Sequence, residues 1–257
     1  MSPHFKHIYL PVHLLGIAAI IAAFFVNPQW FIFTLLGYTL FAGFGISVGH
    51  HRLFAHRSFE TYRFIEIILL FLGIFGGEGS SISWVAIHSG LHHPFADTPK
   101  DIHSPVNGKL NAFGAWMNKV KPDTISLRYA AKLLKDPIHV HVHKHYNKYF
   151  WLPIIISALI NWHITLFFFG LPILLSIYKE NFVNLFGHIE SKFNYKNFDT
   201  KDNSQNNVIL GLLTWGDGFH NNHHANPREY DFGLGRKHHW YEFDPSTILV
   251  NLVKKRP

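Results

Sequence analysis

Forty-five consecutive residues, His7 to His51, contain no Asp, Glu, Lys or Arg. The stretch holds two apolar runs, LLGIAAIIAAFFV and FIFTLLGYTLFAGFGISV, separated by NPQW at Asn27 to Trp30. A helix of about 20 residues rising roughly 1.5 Å per residue matches the ~30 Å of bilayer hydrocarbon. Pro28 disrupts helix between the runs, and Trp30 suits a membrane interface. The segment therefore reads as a membrane hairpin. The start lacks a small-residue cleavage site after a basic leader and runs at once into a second apolar segment, so a cleaved signal peptide is not expected.

A second charge-free stretch, Tyr149 to Tyr178, has INWH near its middle. One over-long crossing or two short ones would fit, and the basic residues choose between them. All 23 Lys and Arg lie in residues 1–7, 50–148 or 179–257, and none in either proposed outer turn. Two hairpins put those regions on one face, as the positive-inside rule asks, whereas a single second crossing would export ten of the 23. The expected fold is an all-α integral membrane protein with four transmembrane helices and a cytoplasmic helical cap holding a histidine-rich dimetal centre. It forms a single domain over residues 1–257, with hairpins at about 8–49 and 147–182, cap segments 50–146 and 183–257, and both termini cytoplasmic. The run Phe64 to Gly77 carries Glu66 and is too short to span readily, so it is expected as an internal or surface-lying helix.

Cysteine is absent, which excludes disulfides and thiolate metal sites. The formal charge of +7 is not gathered into a block with interleaved aromatics, so nucleic-acid binding is not indicated. There are 21 histidines, and the tight groups fall in the cap. GHHRLFAH supplies His51 and His56, WVAIHSGLHH supplies His88, His92 and His93, and WGDGFHNNHHANP supplies His220, His223 and His224. NLFGH adds Asn184 and His188. His88 and His92, Asn184 and His188, and His220 and His224 are each four apart and project from one helix face. His51 and His56, five apart, need the helix to bend or end. Neutral imidazoles packed together must find partners or pay desolvation, and a divalent cation satisfies several at once. Eight or nine nitrogens exceed the four ligands of a structural zinc, so two metals are expected. The carboxylates do not form the Glu and Glu-x-x-His pairs of soluble di-iron bundles.

HRLFAH, HNNHH and NLFGH, in this order between these apolar runs, resemble the motifs of the membrane fatty acid desaturases, and most closely the short delta-9 acyl-CoA and acyl-lipid group that includes stearoyl-CoA desaturases. FADTPKDIHSP after the second box and WGDGF before the last extend the resemblance to roughly residues 8–245. The middle box departs from the family's HxxHH pattern: HSGLHH is one residue longer, with the extra residue among Ser89, Gly90 and Leu91, where Gly90 permits a bulge. The resemblance implies two irons, one held by His51, His56, His88, His93 and His224, the other by His92, His188, His220 and His223, with Asn184 holding a water ligand. No catalytic residue beyond the metal centre is implied.

The implied reaction is O2-dependent conversion of a saturated acyl chain, carried on CoA or a glycerolipid, to a cis alkene, with the double bond at or near delta-9. No flavin or nicotinamide fingerprint is present, so an external reductant, ferredoxin or cytochrome b5, is expected. Trp84, Phe41 and Phe44 are candidate walls of a substrate tunnel, and Gly43 and Gly45 permit close helix approach. Arg52, Arg57, Lys100 and Lys109 are candidate head-group contacts. His50 reads as a packing residue, His139, His141, His143 and His145 as an interfacial segment, and His103, His238 and His239 as surface residues. His13 and His163 lie on the membrane side. Two other readings stay open: a di-iron lipid hydroxylase, which the altered middle box permits, and a histidine-rich metal transporter or storage protein.

Overall fold

A computed structural model describes residues 1–121 and 124–255 of the protein. Among these residues the regular structure is helical, with only isolated β-bridges such as Thr61 with Lys254. Three helices are long and apolar enough to cross a membrane: Phe5–Ala22, Pro28–His56 and Trp162–Phe186. The chain is thus an integral multi-pass membrane protein by length and composition of its helices. A fourth apolar helix, Tyr146–Ile160, has 15 residues and contains Pro153; at ~1.5 Å per residue it is about 22 Å long, short of the hydrocarbon thickness.

The break within the second apolar stretch falls where INWH suggested. Asn161 is extended (φ −161°, ψ 114°), and its side chain accepts from the backbone N–H of His163 at 2.9 Å, capping the next helix. The expected first turn is built the same way: the Asn27 side chain accepts from Gln29 N–H at 3.0 Å, with Pro28 opening the helix. The two turns meet. The Trp30 ring stacks on His163 with centroids 4.5 Å apart, and Thr34 Oγ1 donates to the Phe167 carbonyl at 2.9 Å. Gly37 is needed for this approach, since a Cβ there would lie 2.5 Å from the Phe168 carbonyl oxygen. Leu14, Ile21, Ile32, Leu35, Leu159 and Ile160 remain exposed on the outer faces, as lipid-facing side chains require.

Both termini lie at the opposite end, against the cap. Ser2 N–H donates to the Asn118 carbonyl at 3.2 Å, and Lys255 N–H to that of Glu60 at 2.7 Å. The short apolar run forms Arg63–Ile74, which buries Leu69, Leu70 and Ile74 and exposes Phe64 and Ile68. It packs on the second long helix at Gly45, where a Cβ would meet the Leu72 backbone at 2.6 Å.

Four helices deliver the histidines from this scaffold. The second long helix runs out of its apolar section and carries His50 to His56 into the cap, ending where Arg57 adopts a left-handed conformation (φ 54°). Ser81–Ile87, capped by Ser80, continues into His88–His92. The short helix His220–Ala225 faces them, and His188 follows directly after Trp162–Phe186.

Candidate metal centre

Local winding explains two spacings that an ideal α-helix does not. Thr39–His56 and His88–His92 have π-helical, i→i+5 hydrogen bonding, and the His93 N–H donates to the His88 carbonyl. This winding brings residues five apart onto one side, so His51 and His56, and His88 and His93, point together. The extra residue of the middle box is absorbed as one widened turn. Gly90 sits within it, pressed against Tyr129, whose ring carbon would be 2.5 Å from an added Cβ.

The nine histidines converge in two groups. In the first, Nε2 atoms lie 2.8 Å apart for His56 and His88, 3.0 Å for His88 and His93, 3.0 Å for His93 and His223, and 2.9 Å for His51 and His223. In the second, they lie 3.1 Å apart for His92 and His224 and 3.0 Å for His188 and His220. His51, His56, His88, His93 and His223 thus form one set of five, and His92, His188, His220 and His224 a set of four. His223 and His224 have exchanged places relative to the allocation implied by the family resemblance. Helical spacing is the reason: His220 and His224, four apart, share a face, while His223 turns to the other side.

The outer ring nitrogens show why a cation belongs here. His92 Nδ1 lies 2.9 Å from Asp101, His188 Nδ1 3.0 Å from Asp97, His224 Nδ1 2.8 Å from Asp202, and His220 Nδ1 3.2 Å from the Asp217 carbonyl. Each partner is an acceptor, so each Nδ1 carries the proton and each Nε2 presents a lone pair. His51 is held in the same way by Asp217 at 3.1 Å. Four lone pairs facing one another in a buried pocket repel, and a cation at their centre satisfies all of them. The residues present fit a divalent metal in each group, and the nitrogen-rich donor set suits iron.

Charge agrees with this arrangement. Burial, then the neighbouring imidazoles, holds His88, His93, His220 and His223 well below the ordinary histidine range. Burial brings His224 to about 4 against the opposing pull of Asp202. Burial alone would raise Asp101 and Asp202, but the imidazoles they face, His103 with His92 and His224 respectively, bring both below the usual carboxylate range. These shifts favour neutral rings at His88, His93, His220, His223 and His224 and ionised carboxylates at Asp101 and Asp202, as ligands and their supports must be.

A cavity of about 40 Å³ touches both groups, lined by Trp84, Ile87, His88, Asn184 and His220 among others. It shares Glu78, Ile87 and Trp116 with a second cavity of about 160 Å³ whose other walls include Met117, Val120, Ile125 and Leu127. The two cavities adjoin at these shared residues: the smaller is lined mostly by histidines and acidic side chains, the larger mostly by apolar ones. A sequence model of the family described as fatty acid desaturase matches residues 24–245. The chain belongs to that family.

This desaturase is 30% identical to a hex-5-enoyl-(acyl-carrier protein) acetylenase of Moorena producens (strain JHB), over 84% of its own length and 71% of the relative's. It is 29% identical to an sn-1 stearoyl-lipid 9-desaturase of Anabaena variabilis, over 86% and 79%. A probable acyl-CoA desaturase of Schizosaccharomyces pombe is 31% identical over 89% of the chain, which spans about half (48%) of that longer protein.

Several other expected positions in the desaturase are placed differently. Arg52 meets no head group. It is fully buried, donating to Asp217 at 2.9 Å and Asp244 at 2.8 Å, with its guanidinium 3.7 Å over the Phe232 ring. The last turn of its helix points it inward. Phe41 is packed against Phe75, Phe168 and Phe169, and neither it nor Phe44 lines the two cavities, whereas Trp84 does. Lys100 and Lys109 are exposed outside both cavities, and Arg57 lines a separate cleft. His103 is buried, not a surface residue, with its ring 4.6 Å from that of His92. His50 is a packing residue, buried beside Gly73.

Sequence reasoning missed the carboxylates that orient the rings. Asp97 and Asp101 stand four and nine residues after His93 and His92 in FADTPKD, and Asp217 stands three before His220. The signal was there: in a chain with only 16 acidic residues, they cluster beside the boxes. Lys179 gave no such signal. It is buried at the inner end of a long helix, paired with Glu180 and, at 2.6 Å, with Asp217.

Proposed function

We propose that the protein is an O2-dependent desaturase that introduces a cis double bond at or near delta-9 of a saturated acyl chain, carried as acyl-lipid or acyl-CoA, with two irons at the histidine groups. One observation carries this reading: nine histidines gather in two groups, the four-histidine group with its Nδ1 atoms held by Asp97, Asp101, Asp202 and the Asp217 carbonyl and the five-histidine group with His51 held by the Asp217 carboxylate, beside a small cavity that adjoins a mainly apolar one. The relatives named as 9-desaturases support delta-9-like regiochemistry. The relatives' carriers differ, being a lipid in one name and CoA in another.

Bound irons would supply O2 reduction and removal of hydrogen from carbon. The chain's part is positioning. Asp101, Asp97, Asp202 and Asp217 orient the rings of His92, His188, His224 and His51, which would hold bound metals at a fixed place beside the cavity. Consecutive methylenes are chemically alike and differ by only about 0.8 kcal/mol of burial, so distance along a closed cavity selects the carbon pair. Trp84 sets one wall, and its Nε1–H donates to Glu78 Oε2 at 2.8 Å, which fixes the indole plane. Asn184 lines the same cavity, which supports the reading that it would hold a water ligand of the second metal.

The balance is complete: two hydrogens leave adjacent methylenes, O2 accepts four electrons and four protons, and two waters form. Two electrons and two protons come from the substrate. The other two electrons come from a reduced one-electron carrier, ferredoxin or cytochrome b5, and the remaining protons from solvent. Four crossings with both termini cytoplasmic fit the meeting of the two turns, the termini at the cap end and the distribution of Lys and Arg. The deciding experiment is chromatography and mass spectrometry of membrane lipids from expressing cells fed saturated chains of several lengths. New monounsaturated chains are expected, and hydroxy acids without alkenes would favour the hydroxylase.

A further inference from the structure

The five-histidine group has a second opening. A cleft of about 540 Å³ is lined by His56 and His93 at its floor and by Arg57, Arg228, Tyr129 and Ser89 at its walls. Both histidines are only half-buried, while His51, His88 and His223 are buried. The cleft shares no lining residue with the two cavities beside Trp84. An acyl chain threading those cavities would therefore not carry its head group here.

The rim is basic. Arg57 and Arg228 are exposed, and Arg57 is thrown outward where the helix ends in the left-handed conformation. Arg128, outside the lining itself, packs on the lining residue Tyr129, its guanidinium 4.8 Å over the ring and donating to the Tyr129 hydroxyl at 2.8 Å. Among the described residues no Asp or Glu lines the cleft. Guanidiniums around a solvent-filled recess draw an anionic partner and orient it on approach. The floor adds what a plain anion site would not have. His56 and His93 line the cleft and also belong to the five-histidine group, so they connect the surface to the proposed centre.

We propose that this cleft is the docking surface of an acidic, one-electron carrier protein, with electrons entering through His56 and His93. The proposal rests on the desaturase reading above and supplies its missing reductant: two reduced carriers dock in turn, each is oxidised by one electron, and the two electrons complete the reduction of O2 to water. The contact is electrostatic at the rim, so it weakens as salt rises.

The test uses the full-length, iron-loaded protein in detergent and, as probes, an acidic two-iron two-sulfur ferredoxin and the soluble domain of cytochrome b5. Binding of the oxidised probe is measured at low and high salt for the native protein, for Arg57→Glu/Arg228→Glu, and for Lys148→Glu/Lys192→Glu, whose lysines are exposed outside the cleft. The arginine pair should weaken binding by at least tenfold at low salt and flatten its salt dependence. It should also lower the ratio of carrier-driven to dithionite-driven turnover, while the lysine pair changes binding less than twofold. Equal weakening by both pairs, or by neither, overturns the proposal. A raised KM for the acyl substrate with unchanged carrier binding overturns it in favour of a head-group site. Absence of alkene from the native protein with dithionite and with both carriers is the separate failure, that of the desaturase reading.

Discussion

His92 and His224 face one another Nε2 to Nε2 at 3.1 Å, and behind each ring a carboxylate, Asp101 or Asp202, accepts from Nδ1–H at 2.9 and 2.8 Å. Both inward nitrogens are therefore lone pairs, brought together from the second box and the last one. The arrangement suits a cation, and the outer carboxylates would then be as much a part of the proposed centre as the rings.

Removing one of those carboxylates tests this directly. Asp101→Asn and Asp202→Asn should each lower metal affinity about 10- to 100-fold, because the amide can offer its N–H to Nδ1 and favour the wrong tautomer. Metal content after dialysis against graded chelator reads the effect, and alkene yield should fall in parallel. Unchanged retention in both variants would contradict the lone-pair argument.

The exchange of His223 and His224 between the groups predicts a pattern of loss. The native protein should hold about two irons per chain. His223→Ala should empty the five-histidine site and His224→Ala the four-histidine site, each leaving about one, and His92→Ala or His223→Ala should abolish product with membrane insertion intact. Spectroscopy of the remaining iron should differ between His223→Ala and His224→Ala. Identical residual spectra would show that the grouping is wrong.

Acid should destabilise the metal-free protein in a window set by histidine. His224 is held at about 4, below its ordinary 6.5, so between these values the unfolded chain binds more protons than the folded one. Its contribution is then fully present above about pH 6.5 and is lost as pH falls towards 4. His88, His93, His220 and His223, also lowered, act in the same direction. Asp101 and Asp202, held below their ordinary values, contribute stability that goes only at still lower pH. Thermal melting of chelator-stripped protein from neutral to about pH 4 measures this; a flat profile would mean the rings are not buried neutral.

Arg52 and Arg57 stand five apart and should behave oppositely. Arg52→Met leaves Asp244 buried without its cation and Asp217 with Lys179 alone, and should destabilise by about 3–5 kcal/mol, seen as loss of folded protein in detergent. Arg57→Met, at an exposed position, should stay within about 0.5 kcal/mol. Equal stability of the two variants would show that Arg52 is not buried among those carboxylates.

The absence of cysteine makes topology simple to read. Single cysteines in place of Asn27 and Asn161 should react with an impermeant reagent from one side of the bilayer, and those replacing Arg57 and Lys192 from the other. Labelling of Asn161→Cys on the same side as Arg57→Cys would remove the fourth crossing.

The sequence by itself determined the apolar helices, their breaks at NPQW and INWH, and the set of nine histidines. These are local properties: run length against bilayer thickness, Pro and Asn at turns, and box spacing that needs no knowledge of neighbours. Only the tertiary structure decided which histidines meet. An α-helical projection left His51 and His56 apart and the middle box one residue too long, because it could not foresee the widened winding that brings residues five apart together. The same limit hid the inward turn of Arg52 and the seating of Asp101 and Asp202 behind their imidazoles. Whether a charge faces water or a buried partner is settled by segments far away in the chain, and no local pattern encodes it.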